Sequence, residues 1–433
     1  TALAAMLGQM GKPGGGVAYG YTITNYLGNN VFKMPYAPLP QGKNSITDFI
    51  PVARVSDMLL NPGQKFDYDG REYTYPDIDM IYWAGGNPFH HHQDLARLRK
   101  AWEKPSTVIV NEWCWNALAR HADIILPCTT TLERQDIGMT PRDPYVISMD
   151  KAIEPVGEAR NDYDIFAGIA RRMGTKDSFT EGRSAEDWQK WIWEQSCERA
   201  ENLNVHMPDY ESFREAGFYK SPDLKEDRIF LSDFFEDPDK NPLGTPSGKI
   251  EIFSETIDSF NYEDCPGHPT WMEPTEWLGA KEKAYPLHLI SNQPKTKLHS
   301  QMDNGTLSSS IKIKGHQPLE MNPDDAQSRG ITQGDIVRVF NGRGSCLCGA
   351  NITADVMPGV VIISTGSWYD PAEPNDPKSM CKHGNPNVLS PDIGTSKLGQ
   401  GPAAHSCLTE IEIYDGPVQD ITAFNPPEII EKK

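Results

Sequence analysis

The strongest constraint on the fold is a change of hydrophobic period between two stretches of the chain. From about Ile81 to Gly174, short apolar runs that end in glycine or polar residues alternate with helical patterns. "DMIYWAGG" precedes "HQDLARLRKAWEK", "STVIVNEW" precedes "NALARHA", and "ADIILPC" leads to "NDYDIFAGIARRMG". Such alternation predicts a parallel sheet flanked by helices, with ligands at the carboxyl ends of the strands. From Tyr285 the character is β: "PLHLIS", "DIVRVFN", "SCLCGANIT", "GVVIIST" and "CLTEIEIY" are strands separated by Gly, Asn, Asp and Pro. Short strands at this spacing predict a barrel or sandwich, with "NPDDAQSRGI" as a short helix between two of them. Residues 176–284 are polar, aromatic-rich and weakly periodic, and no internal repeat is visible.

Charge and cysteine usage narrow the function classes. With 433 residues and a formal net charge of −19, the chain is a poor general partner for duplex DNA or an anionic membrane surface. An anionic ligand would need local N–H groups or Arg and Lys to overcome that field. No apolar run is long enough to span a bilayer. Eight cysteines without a CxxC give little support to a zinc or iron–sulfur site. Cys346 and Cys348, two apart on a strand, share one face and read as packing thiols. "TALAAMLGQMGKPGGG" reads as a helix already in progress, ended by Gly11, Pro13 and Gly14–Gly16. The expectation is therefore a C-terminal portion of something longer.

The strand ends carry the candidate chemistry. In "AGGNPFHHHQD", Gly85 and Gly86 let backbone approach a bulky group, Asn87 offers donors and acceptors, and a helix start favours phosphate. His90, His91 and His92 point in different directions and lack the i, i+4 metal pairing, so they do not converge on one metal. Surface or packing histidines and a single phosphate-contacting histidine remain the two readings. The next strand ends at Asn111 and Glu112, where a carboxylate or amide can read a ribose. Arg134 in "LERQD" either pairs with Glu133 or Asp136 or contacts phosphate. Asp162 is an N-cap or an acceptor for a guanine edge. "SNQPKTKLHSQ" gathers Asn292, Gln293, Lys297, His299, Ser300 and Gln301 where Pro294 breaks a strand. The long polar loop "HGNPNVLSPDIGTSKLGQGP" adds Asn387 and Gln400.

Five of these segments, in one order over nearly the whole chain, resemble the C-terminal half of a bis(molybdopterin guanine dinucleotide) oxidoreductase. The branch is that of the dimethyl sulfoxide, trimethylamine N-oxide and biotin sulfoxide reductases. "GGNPFHHHQD", "ARHADIILPCTTTLERQDIG", "EARNDYDIFAGIARRMG", "SNQPKTKLHSQ" and "NVLSPDIGTSKLGQG" carry the resemblance. The stretch "AQSRGITQGDIVRVFNGRGSCLCGANIT" resembles the family's dinucleotide-binding signature. The resemblance implies an α/β Rossmann-like parallel-sheet domain followed by a double-psi β-barrel domain. The implied segments are 1–45, the end of a preceding domain and a Gly-rich loop, and 46–175, a Rossmann-like dinucleotide-binding domain. A helical or irregular connection over 176–284, a dinucleotide-binding β-barrel over 285–415 and a tail over 416–433 complete the chain.

Carried over by motif, the resemblance assigns cofactor contacts to Gly86, Asn87, His91, Asn111, Glu112, Arg134 and Asp162. Asn292, Gln293, Lys297, His299 and Ser300 would face the cofactors from the barrel, with Asn387 from the long loop. Lys297 stands where relatives carry arginine, which keeps the charge and loses the bidentate fork. Ala404 and His405 also depart from the family's Gly-Gln. The implied cofactor is a molybdenum, or tungsten, bis(molybdopterin guanine dinucleotide). Oxygen would be removed from an S-oxide or N-oxide and returned as water with two electrons and two protons from an electron donor protein or other reductant. The serine metal ligand belongs to the other half, so no catalytic residue and no metal ligand is assigned. Trp368 and Tyr369 line a substrate funnel or pack in the core. Relatives occur in the bacterial periplasm and cytoplasm, and the sequence favours neither. The alternative is a non-catalytic guanine-dinucleotide or pterin-binding partner subunit. A nicotinamide dehydrogenase is disfavoured because "GGNPF" is not GxGxxG.

Overall fold

The computed structural model describes residues 1–17, 31–140, 143–223 and 229–430. Residues 18–30 of the first expected segment and 431–433 of the tail lie outside the described residues. The chain forms two compact units, each built from two stretches: Thr1–Ser45 with Pro127–Glu255, and Ile46–Leu126 with Thr256–Lys433.

The second unit contains the strand–helix alternation expected from the sequence. Strands β1 (Met80–Ala84), β2 (Thr107–Glu112) and β3 (Ile124–Pro127) form a three-stranded sheet in that order. β1 and β2 are parallel, with Met80 opposite Thr107 and Ala84 opposite Asn111. Alternation along the β-branched run buries Val108 and Val110. The expected helix "HQDLARLRKAWEK" starts at Leu95 rather than His92, and a separate turn precedes it. A single turn, α1 (Pro88–His91), follows Asn87, whose side chain accepts from Phe89 N at 3.1 Å. His92 is then extended, and helix α2 (Leu95–Trp102) starts afresh behind Asp94, whose carboxylate accepts from Arg97 N at 3.1 Å. Asn and Asp compete with helical bonds and favour caps, so each begins its own helix. α2 buries Leu95, Leu98, Ala101 and Trp102, a stripe at helical spacing.

Six strands close into a barrel: β4 (Leu287–Ile290), β5 (Pro318–Met321), β6 (Ile336–Phe340), β7 (Ser345–Ile352), β8 (Val360–Ile363) and β9 (Leu408–Ile413). Their order is β5-β7-β6-β9-β4-β8, and β8 pairs back onto β5. β5–β7 and β8–β4 are parallel pairs, while β6–β7, β6–β9, β9–β4 and β5–β8 are antiparallel. β5 is the strand that hydrophobic patterning missed, because "PLEM" offers only Leu319 and Met321 as inward residues. Cys346 and Cys348 are fully buried with their Sγ atoms 3.9 Å apart, which agrees with the packing reading. Burial pushes the neighbouring thiols of Cys381 and Cys407 up to about 11 and about 12. The barrel interior, α1, α2 and β2 share one apolar core that includes Phe89, Leu98, Val110, Leu319 and Val337.

The first unit carries an antiparallel sheet of Asp136–Met139, Tyr145–Met149 and Phe218–Lys220. The expected helix from "NDYDIFAGIARRMG" runs over Asp162–Arg172 and is followed by Gly174 at φ +74°. Within the weakly periodic stretch a helix over Ala185–Glu201 starts at a Ser184–Asp187 capping box. Its Trp193 stacks on Phe213 at 3.8 Å between ring centroids, in the core of this unit.

Candidate functional site

The turn after β1 is built for close approach on one side. Gly85 and Gly86 have φ of +82° and +76°, and a Cβ on Gly85 would meet nothing within 4 Å. The start of α1, by contrast, has few free N–H groups. Phe89 N is held by the Asn87 side chain, Asn87 N donates to His91 Nε2 at 3.2 Å, and His90 N bonds to Asn87 O. Pro88 has none. What stays open is the amide of Asn87, whose Nδ2 is buried without a partner. A buried donor of this kind marks the place of a ligand or water.

The three histidines diverge, as adjacent residues must. His90 is buried, stacked on Trp368 at 5.5 Å, and its Nε2 has no partner. His91 is exposed and folds back onto the turn, while His92 packs edge-on against Trp83. Burial lowers all three; His90 falls to about 3 and His92 to about 4, and the charge of His299 also depresses His91.

The barrel loop from Asn292 to Asp303 is clamped to the loop after β8. Thr365 N donates to Asn292 O, Ser364 Oγ to Asn292 Oδ1 at 2.7 Å, and Trp368 Nε1 to Ser300 O at 2.8 Å. Gln293 and His299 are exposed on this loop, and His299 is left-handed with φ 52°. Gly366, at φ +95°, lies beneath it: a Cβ there would sit 1.9 Å from His299 O. Gly366→Ala is expected to cost about 3 kcal/mol, read from a urea midpoint, because strain and a backbone collision act together. An unchanged midpoint would contradict this packing.

Lys297 lies inward. Its side chain is 1% exposed and bonds to Asp303 Oδ1 at 2.5 Å. Lys312 also reaches Asp303 Oδ1, at 3.1 Å, and donates to His383 Nε2 at 2.6 Å. Sequence reasoning passed over Asp303 and Lys312, nine residues apart, and His383, 71 residues beyond Lys312. Asn387 is likewise a clamp: its Nδ2 donates to His90 O at 2.9 Å, beside Asn385 Nδ2 on Phe89 O at 3.1 Å. Trp368 and Tyr369 are buried, and Tyr369 OH accepts from Arg99 in the core.

Asn111 and Glu112 are both buried at the carboxyl end of β2. Asn111 Oδ1 accepts from Tyr82 OH at 2.8 Å, and Glu112 Oε1 from Trp113 N at 3.1 Å. Gln400, buried, donates to Asp67 O at 3.0 Å. A cleft of about 640 Å³ lies at the other, amino end of β2, lined by Arg99, Arg120, His121 and Lys382. There Arg99, Arg120 and Lys382 bond to the carbonyls of Asp376, Thr422 and Asp420, so these cations serve the fold.

Arg134 and Asp162 belong to the first unit. Arg134 Nη1 donates to Thr129 O at 2.9 Å, and its Nε is 3.4 Å from Asp136. Arg134 lines a cleft of about 720 Å³ with Arg160, Asn161, Asp164 and Arg171. Of the two aspartates at the start of this helix, Asp164 lines the cleft, with Glu133, Glu154 and Glu186, and Asp162 is not among its lining residues. Two residues on a helix are about 200° apart, which sequence alone does not resolve without knowing the helix phase.

Residues 1–172 match the family described as Molybdopterin oxidoreductase, and residues 287–408 the Molydopterin dinucleotide binding domain. The chain is 45% identical to a dimethyl sulfoxide/trimethylamine N-oxide reductase of Cereibacter sphaeroides, over 98% of this chain and 53% of that protein. It is 46% identical to a biotin sulfoxide reductase of the same organism, over 96% and 56%. A trimethylamine-N-oxide reductase of Haemophilus influenzae is 41% identical over 98% and 54%. The chain thus spans about half the length of the curated relatives it matches. Acetylene hydratase from Pelobacter acetylenicus shares the fold, with a TM-score of 0.59 at 19% identity over 78% of this chain and 45% of that one.

Proposed function

Because the chain belongs to the molybdopterin oxidoreductases, we propose that it is the dinucleotide-holding portion of a molybdenum-dependent reductase acting on S-oxides or N-oxides. The observation that carries this reading is 45% identity to a reductase of that kind over almost the whole chain. In the finer reading, the β1–β2–β3 sheet is Rossmann-like and the closed barrel is of the double-psi type.

The residues present fit a bis(molybdopterin guanine dinucleotide) on two observations. The Asn87 Nδ2 donor is buried without a partner, and the Gly85–Gly86 turn leaves room where a Cβ would stand. Within the barrel-containing unit, Gly86, Asn87, His91, Asn111 and Glu112 would hold cofactor at the strand ends; within the first unit, Arg134 and Asp162 are the candidate nucleotide contacts. Asp164, on the cleft, joins them. Asn292, Gln293, Lys297, His299, Ser300 and Asn387 would shape the barrel side, where Lys297 and Asn387 act by holding loops. When bound, the cofactor supplies the two-electron, oxygen-transferring chemistry. The protein's part is to bind, orient and enclose it.

Asn87→Ala is expected to remove one cap, about 1 kcal/mol of stability, and to lower the retained guanine nucleotide well beyond that small loss. An Asn87→Ala protein with wild-type nucleotide content would remove Asn87 from the site. The function itself is tested with the polypeptide purified from its own gene, using a reduced viologen dye. Oxidation of the dye by dimethyl sulfoxide, trimethylamine N-oxide or biotin sulfoxide is expected. Inactivity toward all three would favour the non-catalytic partner reading.

A further inference from the structure

We propose that the cleft at the amino end of β2 is a seat for hydrogen phosphate, built on the adjacent residues Arg120 and His121. It uses none of the residues assigned above to the cofactor and does not depend on that assignment.

The cleft, of about 640 Å³, falls within the barrel-containing unit and in the size range of small-molecule sites. Arg120 and His121 reach it from the short turn Ala119–His121. Asn116 Oδ1 caps this turn by accepting from Ala119 N at 3.0 Å, and Trp102 Nε1 holds its end by donating to His121 O at 3.0 Å. The cations of the cleft are Arg99, Arg120 and Lys382. Lys382 is matched by Asp370 at 3.6 Å. Arg99 and Arg120 bond instead to main-chain carbonyls and the Tyr369 hydroxyl, and no carboxylate pairs with either among the described residues. Those bonds serve the fold and leave both charges in place. The other two acids on the cleft, Glu103 and Asp123, are exposed, where water weakens their field. Asp123 is also engaged, its Oδ2 accepting from Val108 N at 2.8 Å.

Arg120 and His121 offer complementary groups. Both Arg120 bonds, to Thr422 O at 2.7 Å and to Asn425 O, use Nη2. Its Nε is buried without a partner, and Nη1 is left for the cleft. A guanidinium with donors to spare favours an oxyanion. The His121 ring stacks on Phe89 at 4.1 Å, and its Nδ1 donates to Ala117 O at 2.7 Å. Burial lowers the ring to about 4, so at neutral pH it is uncharged and its Nε2 is an acceptor. That Nε2 makes no hydrogen bond among the described residues. A ligand that answers both residues needs a charged oxygen for Arg120 and an O–H for His121. Hydrogen phosphate has both. Sulfate has the charge and no O–H. A phosphate monoester, whose second pKa is about 6, has mostly lost its own O–H at neutral pH.

The test titrates inorganic phosphate into the polypeptide purified from its own gene, by calorimetry at pH 7 and fixed ionic strength. Sulfate and methyl phosphate are the comparison titrants. Wild type is expected to prefer phosphate to sulfate about five- to tenfold, the effect of one hydrogen bond, and to prefer it to methyl phosphate in the same sense. Arg120→Gln should weaken phosphate about ten- to a hundredfold. His121→Phe keeps a ring on Phe89 and should abolish the preference over sulfate. Glu103→Gln changes only an exposed side chain and should tighten phosphate about two- to threefold by removing a like charge. It decides the matter if the other two variants do not fold. Absence of phosphate binding in wild type would overturn the proposal. So would phosphate affinity unchanged in Arg120→Gln or Glu103→Gln, which would place the bound ion elsewhere. Equal binding of phosphate and sulfate in wild type would remove His121 from the seat and overturn it too. Methyl phosphate binding as tightly as phosphate would show a site for phosphate esters and overturn the assignment to the free ion.

Discussion

Replacing Asp303 with asparagine is expected to destabilise the barrel-containing unit by about 3–5 kcal/mol. The carboxylate is fully buried, accepts from Trp368 N at 3.1 Å, and is the shared partner of Lys297 and Lys312. Burial alone would raise the Asp303 carboxyl, yet His383, Lys297 and Lys312 together hold it below the usual carboxylate range. Asparagine keeps the shape and removes the charge, which leaves two ammonium groups in the interior with nothing opposite them. Removing one member of a buried ion cluster costs more than the cluster contributes. A companion variant separates the two quantities: Lys297→Met, Lys312→Met and Asp303→Leu together should recover most of the lost stability. The readout is the urea midpoint followed by tryptophan fluorescence. A midpoint for Asp303→Asn within about 0.5 kcal/mol of wild type, the range of an ordinary surface change, would contradict the cluster as described.

Acid should unfold the same unit early. Burial lowers His383 and His121 to about 4, His92 to about 4 and His90 to about 3. The unfolded chain holds ordinary imidazoles near 6.5, so below that pH it binds more protons than the folded chain. Stability from these groups is therefore fully present above about pH 6.5 and is lost as pH falls toward 4. A shift of about two and a half units corresponds to roughly 3 kcal/mol for one histidine, so a few of them exceed the margin of a typical domain. Asp303, held low, adds a further loss at still lower pH. The measurement is the urea midpoint between pH 7 and pH 4.5. A steep fall is expected in wild type and a shallower one in His383→Gln. A flat profile would mean that these rings are not held neutral by burial.

Much of the framework was legible because it depends on local rules. Asn87, just after a strand, reads as a donor and acceptor at the strand end. The inward residues of five barrel strands follow from alternation, and Gly174 ends the helix over Asp162–Arg172. Other features depend on where distant segments meet. Asp303 sits in "QMDNG", which looks like an ordinary turn, and only the loop after β8 turns it into the centre of a buried cluster with Lys312 and His383. Lys297 and Asn387 have polar, motif-like surroundings, and their buried, loop-holding role follows from tertiary contacts. Asp164 differs from Asp162 only by the phase of one helix. The later start of α2 was hidden because "HQDLARL" keeps a helical pattern across Asp94, a residue that caps better than it propagates.

The central claim, that this chain holds a molybdopterin guanine dinucleotide, is tested most directly by composition. The polypeptide purified from its own gene is hydrolysed in acid and assayed for molybdenum and guanine nucleotide together. About one molybdenum and about two guanine nucleotides per polypeptide are predicted, from the two dinucleotides of such a cofactor. A folded, pure polypeptide that yields neither metal nor guanine nucleotide would contradict it.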